Sequence, residues 1–381
     1  RERWSRALGR SIGIRCSASH LRAFDEEGAP AAATGILPAG TLVLNSRFAP
    51  ALDRPIPALS AGDALRCNGQ VVAVALRAET ASDVFADGTV RLESFATRAE
   101  GDAFGWWMER SWDLIRNLPA MLAADALVLA AEHPDEHPAH TTVLGEHRLA
   151  VARGAYLEPY VLADTTAGAV VLLEGARVGA FTRLAGPCVI GAHTQVNGGR
   201  LSCCSIGEHS RVSGEMSVVI VAGHSNKAHD GFIGHSVIGR WANLGAGTVT
   251  SNLKNSYGPV RVRDTSGDHD TGMQFLGSLI GDHAKIAIGT RLMTGTIVGA
   301  GANVFGDRSP DKSVPPFSWG DRRPFACYER DRFLTVAAHV MQRRSVELSD
   351  GMRDTLSAAW DTAQGYGEPL STDETREPSD R

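Results

Sequence analysis

Aromatic residues make up only 6% of this 381-residue chain, its six cysteines follow no regular spacing, and neither sign of charge dominates, with 38 Lys+Arg against 43 Asp+Glu. Scattered cysteines in a chain of this length exclude a disulfide framework and point to free thiols in a reducing cytoplasm. A net charge of −5 leaves no basic stripe for a phosphate backbone, which argues against nucleic-acid binding. No apolar run approaches the roughly 20 residues a membrane span needs, so a membrane partner is not expected. The chain also lacks a Walker P-loop, a G-x-G-x-x-G after a strand, a CxxC pair and a G-x-S-x-G elbow. What it has in abundance is glycine, 41 residues, within a composition that is 43% hydrophobic and fit for a sizeable globular core.

Residues 1–140 read as a mixed α/β domain, in which short apolar runs such as Thr41 to Leu44 and Val71 to Leu76 alternate with helical stretches. Asn68-Gly69 is placed to make a hairpin turn. Arg1 to Arg10 already reads as helix, so the sequence is expected to begin inside a domain. A helix from Trp106 through Leu127, interrupted at Pro119, is expected to close the domain. The EHPDEHPAH segment, Glu132 to His140, carries three histidines, but its prolines prevent a helical i, i+4 pair, which favours a solvated linker over a zinc site. No metal site is expected. The linker between the domains is placed at 141–155.

From 156 to 320 the pattern changes. Hexads beginning at Ile280, Ile286, Leu292, Val298 and Val304 keep strict register, and aliphatic-Gly pairs such as Ile190-Gly191, Ile206-Gly207 and Leu244-Gly245 recur upstream. A period of six is neither helix nor hairpin; it predicts a parallel β-helix of hexapeptide repeats, left-handed by the habit of such repeats, with an aliphatic residue of each hexad pointing inward. Two stretches break the hexad, Ser217 to Phe232 and Leu253 to Phe275, and are expected to be ejected loops that carry a site. A single amphipathic C-terminal helix is expected within 321–360, over Ala326 to Ala359, and a disordered polar tail at 361–381.

Hexapeptide solenoids are most often acyltransferases that use acetyl-CoA, and such a reaction needs a base for the acceptor's proton. His224 and His229 lie in the first broken repeat beside Lys227 and Asp230, and Asn243 and Asn252 flank the coil at 244–249. On spacing alone the histidines could equally be surface residues and the asparagines a structural ladder.

The run KAHDGFIGHSVIGRWANLGAGTVTSNLKN, Lys227 to Asn255, resembles the acetyltransferase half of the bifunctional N-acetylglucosamine-1-phosphate uridyltransferase / glucosamine-1-phosphate N-acetyltransferase family. Gly277 to Gly306, VPPFSWG at 314–320 and MQRRSVELS at 341–349 are similar to its divergent bacterial and archaeal branch. A weaker likeness covers RERWSRALG at 1–9 and LNSR at 44–47, which makes residues 1–140 look like a partial sugar nucleotidyltransferase domain, N-terminally truncated. The resemblance implies His229 as catalytic base, Asn243 and Asn252 in acceptor binding, and Ala246 and Ala300 as contacts to acetyl-CoA. It has Tyr where Phe232 stands and a phosphate-binding Lys near Ser217, so Lys227, Lys254 and Arg200 are the candidate replacement cations. It further implies a cytoplasmic homotrimer that acetylates an amino-sugar phosphate such as glucosamine 1-phosphate, for synthesis of UDP-N-acetylglucosamine or a related sugar nucleotide. Mg²⁺ is needed only if the nucleotidyltransferase is active. Two other readings stay open: a nucleotidyltransferase whose solenoid serves trimer assembly, and a non-catalytic scaffold.

Overall fold

The computed structural model describes residues 1–364 except 27, 87, 99 and 135–137, so His137 and positions 365–381 of the expected tail lie outside the described residues. A four-stranded sheet organises the N-terminal α/β region, in the order Leu42–Leu44, Gln70–Ala75, Ala64–Cys67, Glu100–Asp102. Its central hairpin turns at Asn68-Gly69, with φ of 52° and 80°, as that dipeptide predicts. Helix α1 (Glu2–Leu8) buries Trp4 against Phe48 and Leu65 of this sheet region.

The left-handed parallel β-helix predicted from the hexads dominates the rest of the chain. Each strand pairs in parallel with the strand one coil on, as Ile280 does with Val298 three hexads later, so three flat faces wrap one core. Leu157, Leu172, Leu184, Leu201, Val212, Leu244, Ile286 and Val304 stack along its axis. The first coil starts at Thr142–Leu144, which pairs with Leu162–Asp164, and Leu149–Val151 follows in it. The stretch 141–155 is thus solenoid and not linker, because Leu149 and Val143 complete the first layer of the core.

The two hexad breaks differ. Ser217 to Phe232 stays in the wall as one complete coil, in which Val219 and Val221 keep the inward positions. Leu253 to Phe275 does leave the wall: it makes the antiparallel hairpin Arg261–Asp264 with Gly267–Asp270, and its ends meet in a bridge between Leu253 and Phe275.

Helix α2 (Asp113–Ala131) runs through Pro119 without interruption. It is 19 residues long with a mean hydropathy of 1.5, so by length and composition alone it meets the membrane-span criterion the sequence reading found unmet. Here it lies on the solenoid: Ile115, Leu118, Leu122, Ala126 and Ala130 pack against Ala150, Val171 and Val189, and the hairpin's Val260 and Val262 extend the same apolar layer. Helix α2 therefore covers one solenoid face in addition to meeting the first domain, where Asp125 pairs with Arg3 of α1.

The C-terminal helix is two helices, α3 (Arg330–Gln342) and α4 (Asp350–Gln364). Ser345, at φ 58°, ends the first turn of the break while Val346 N–H bonds Met341 O, and Ser349 Oγ caps α4 by accepting Met352 N–H at 3.0 Å. Along one edge of the prism His193, His209, His224, Trp241, His283, Gly301 and Phe317 occupy successive corners, all at positive φ, and these helices seal its Trp241-to-Phe317 part. The rings stack in a column, with centroids 5.0, 4.9 and 4.2 Å apart from His193 to Trp241.

His283, 3% exposed, has no hydrogen-bond partner for either ring nitrogen among the described residues. Burial, then the charges of Lys285 and Arg240, push its pKa down to about 3; burial, then Arg240, push His224 down to about 4. An unfolded chain takes up protons on both rings near pH 6.5, which the fold refuses, so stability is full above that pH and falls as the medium is acidified toward pH 4. Phe317 shows that an aromatic ring fits this corner row. His283→Phe is therefore expected to flatten the acid limb by about 1.4 kcal/mol per pH unit, read from urea unfolding at pH 7, 6 and 5; an unchanged slope would contradict the buried-neutral assignment.

Candidate functional site

With α2 and the hairpin on one face and α3 and α4 on one edge, the edge that carries His229 is among the parts of the prism that stay open. The corner 228–231 joins strand Asn226–Lys227 to strand Phe232–Ile238, and leaves His229 and Asp230 exposed. Ala246 occupies the same corner one coil on, since Gly247 N–H bonds Asp230 O at 3.0 Å, and Ile288 follows, 76% exposed. Adjacent coils lie about 4.8 Å apart, so His229 and Ala246 are next-rung neighbours.

From that corner a short face runs to a second one at His235. Phe232 lies over Gly234, where an added Cβ would stand 2.5 Å from both the Phe232 ring and Asn252 Nδ2. Asn252 Nδ2 donates to His235 Nδ1 at 2.8 Å, which leaves the His235 proton on Nε2. The His235 ring stacks on Phe275 at 5.2 Å, and its burial lowers its pKa. The structure thus brings His229, Ala246, Phe232 and Asn252 to one edge and its adjoining face. Arg200 is exposed on that face, in a row where it pairs with Glu215 and Glu215 with Phe232. Lys254, half-buried, begins the excursion just past Asn252.

Other candidates lie elsewhere. Lys227 is 1% exposed, with its ammonium turned inward, so it is not a surface cation for a substrate phosphate. Asn243 is on the preceding face, where its Oδ1 accepts from Asn226 Nδ2 at 3.4 Å and Asn226 in turn accepts from Arg344 at 2.6 Å. Ala300 lies on the sealed edge, its carbonyl bonded to Phe317 N–H. His224 is in the ring column and not beside His229. Sequence reasoning missed His235 and Phe275. The only local signal was a histidine directly after the obligatory Gly234, and Phe275 reaches it only because the excursion closes back on itself.

The hairpin gathers Asp264, Ser266 and His269, but His269 Nε2 contacts both Asp264 Oδ1 at 2.9 Å and Ser266 Oγ at 3.0 Å. A nucleophilic triad needs the acid and the hydroxyl on opposite ring nitrogens, so this cluster is a turn lock. Among the described residues no three His, Cys, Asp or Glu side chains converge on a cation-sized site, and no step is assigned to Mg²⁺.

Gly231 sets the corner's shape, with φ 134° and a hypothetical Cβ only 2.3 Å from Thr248 O. Gly198, at φ 112°, has open space at the same point. Gly231→Ala is expected to be about 1–3 kcal/mol more destabilising than Gly198→Ala, because only it drives a methyl into backbone; paired denaturant melts measure the difference, and equal losses would place the cost in φ alone.

Residues 1–133 match the family described as sugar nucleotidyl transferase. The chain is 30% identical over 160 residues to the bifunctional protein GlmU of Aromatoleum aromaticum, covering 39% of this chain and 32% of the relative. It is 31% identical over 111 residues to that of Methanococcus vannielii, covering 28% and 26%. A bifunctional sugar-1-phosphate nucleotidylyltransferase/acetyltransferase of Sulfurisphaera tokodaii is 30% identical over 91 residues, 24% of this chain and 23% of the relative. The chain spans about a third of the length of the first of these curated relatives. Among solved structures, LpxA, a UDP-N-acetylglucosamine acyltransferase from Bacteroides fragilis, aligns at 12% identity with a TM-score of 0.30, over 58% of this chain and 96% of that one. The chain is thus similar to the sugar nucleotidyl transferase family over residues 1–133 and, over part of its length, to GlmU proteins.

Proposed function

We propose that the solenoid transfers an acetyl group from acetyl-CoA to the amine of an amino-sugar phosphate, with glucosamine 1-phosphate the first acceptor to try. The observation that carries this reading is the exposed His229 on an open solenoid edge, one rung from Ala246 and beside the face that holds Phe232 and Asn252. His229 takes the proton as the acceptor nitrogen forms its bond to the acetyl carbon; the C–S bond breaks and the departing thiolate is protonated. Asn252 and Phe232 line the sugar, Arg200 and Lys254 attract its phosphate, and the backbone N–H of Ala246 faces the thioester oxygen. The protein works as a cytoplasmic homotrimer supplying sugar-nucleotide synthesis, possible because the His229 edge is left uncovered by the chain's own helices.

A second reading, sugar-1-phosphate nucleotidyl transfer, is favoured by the match over residues 1–133. Acetyl-CoA turnover followed by free-thiol release, with glucosamine 1-phosphate as acceptor, separates the two. His229→Ala is expected to lower kcat by about 10²–10⁴-fold with little change in unfolding midpoint, since the ring is exposed. Turnover untouched by the substitution overturns the base assignment. No turnover by the intact wild-type oligomer, with pyrophosphate released from a nucleoside triphosphate and a sugar 1-phosphate, favours the second reading.

A further inference from the structure

At the end of the strand that enters the His229 edge, one coil after another places an apolar side chain: Val178, Val196, Val212, Leu244, Ile286 and Val304. In one coil that place belongs to a lysine. Lys227 follows Val212 in the ladder and its neighbour Asn226 pairs with Asn243, which puts Lys227 between Val212 and Leu244 in the axial stack. A buried ammonium in an aliphatic column is costly unless its protons are satisfied. No carboxylate pairs with Lys227 among the described residues; its Nζ donates instead to the carbonyls of His229 and, at 2.9 Å, Asp230. Desolvation by burial, partly offset by Asp230, lowers its pKa to about 8.

Those two carbonyls belong to a corner that departs from its neighbours. In the next coils the equivalent position is a glycine in the left-handed region, Gly247 at φ 71° and Gly289 at φ 67°. Asp230 stands there in the His229 coil without a positive φ, and the chain instead turns at Gly231 with φ 134°. The altered corner turns the His229 carbonyl toward the core, where among the described residues Lys227 is its hydrogen-bond donor. A methionine would fill the same volume but leave that carbonyl without a partner.

We infer that Lys227 is a positioning residue: from inside the solenoid its ammonium holds the 228–231 corner in the conformation that presents His229 to the acceptor. This rests on His229 being the base of the proposed transfer. A displacement of about 1 Å at a reacting group can cost about 10²-fold in rate, so K227M is expected to lose about that much in kcat. KM for acetyl-CoA and acceptor should stay within a few-fold, and the unfolding midpoint should not fall. In K227A, propylamine, which can occupy the vacated slot and donate to the same carbonyls, is expected to restore part of kcat, whereas propanol is not. A purely structural lysine would instead lower the midpoint, leave kcat intact below it, and show no amine-specific rescue. Wild-type kcat in K227M overturns the inference, and if K227M fails to assemble, the K227A comparison decides. Should the wild-type chain transfer no acetyl group, the proposed function fails separately, and a crystal structure of K227M decides the lysine's role: a 228–231 corner unmoved from its wild-type form overturns it.

Discussion

Everything in this molecule hangs on the axial stack. A solenoid of narrow triangular section has room for one side chain per face per layer, so each coil must deliver a side chain of modest size at each inward position and turn tightly between faces. Leu172, Leu184, Leu201 and Ile286 meet that demand by burial, each 2% exposed or less. The corners meet it with backbone: His193, His209, His224, Trp241 and His283 all adopt a left-handed conformation ordinarily left to glycine. Once the stack is set, the outward-facing residues are fixed in rows spaced by one rung. A site can then be assembled from residues remote in sequence with no further folding problem to solve.

Where the stack is made of plain aliphatics the sequence could be read directly, and the five hexads from Ile280 to Val304 fell into coils as expected. Upstream the same architecture was harder to see. Thr142 pairs with Leu162, so the early coils are longer than three hexads and their first turn passed for a linker. Lys227 in the stack disguised a regular coil as an ejected loop. The break between α3 and α4 was invisible because a serine, not a glycine or proline, takes the left-handed turn at 345. Helical periodicity announces that α2 has an apolar partner, but nothing in the pattern says which surface it meets.

The site was legible to about the same depth and for the same reason. His229 comes from the first broken repeat and Ala246 and Asn252 from the coil after it, and the structure does bring them to one edge and its adjoining face. Ala300 and Asn243 lie on other surfaces because residue spacing fixes the coil but a shift of a few positions moves a side chain to another face or edge. His235 and Phe275 meet across an excursion of more than twenty residues, a closure that depends on the bridge between Leu253 and Phe275. The accessory elements matter to the site by exclusion. Helix α2 and the hairpin occupy one face, α3 and α4 cover part of one edge, and the edge where the exposed imidazole stands is left open.

The bridge between Leu253 and Phe275 has a consequence for how such a protein can change. Because the excursion leaves and rejoins the wall at nearly one point, the coil before it and the coil after it stack as though nothing lay between, with Leu244 paired to Ile286. Its length is therefore decoupled from the register of the prism, while Val260 and Val262 tie its composition to the apolar layer beneath helix α2. Drift or insertion that spares Val260 and Val262 would remodel the rim beside Asn252 and Phe275 while the imidazole on the neighbouring edge stays in register. A lineage built on this frame can reshape that rim by varying one loop, with the coils on either side left in place.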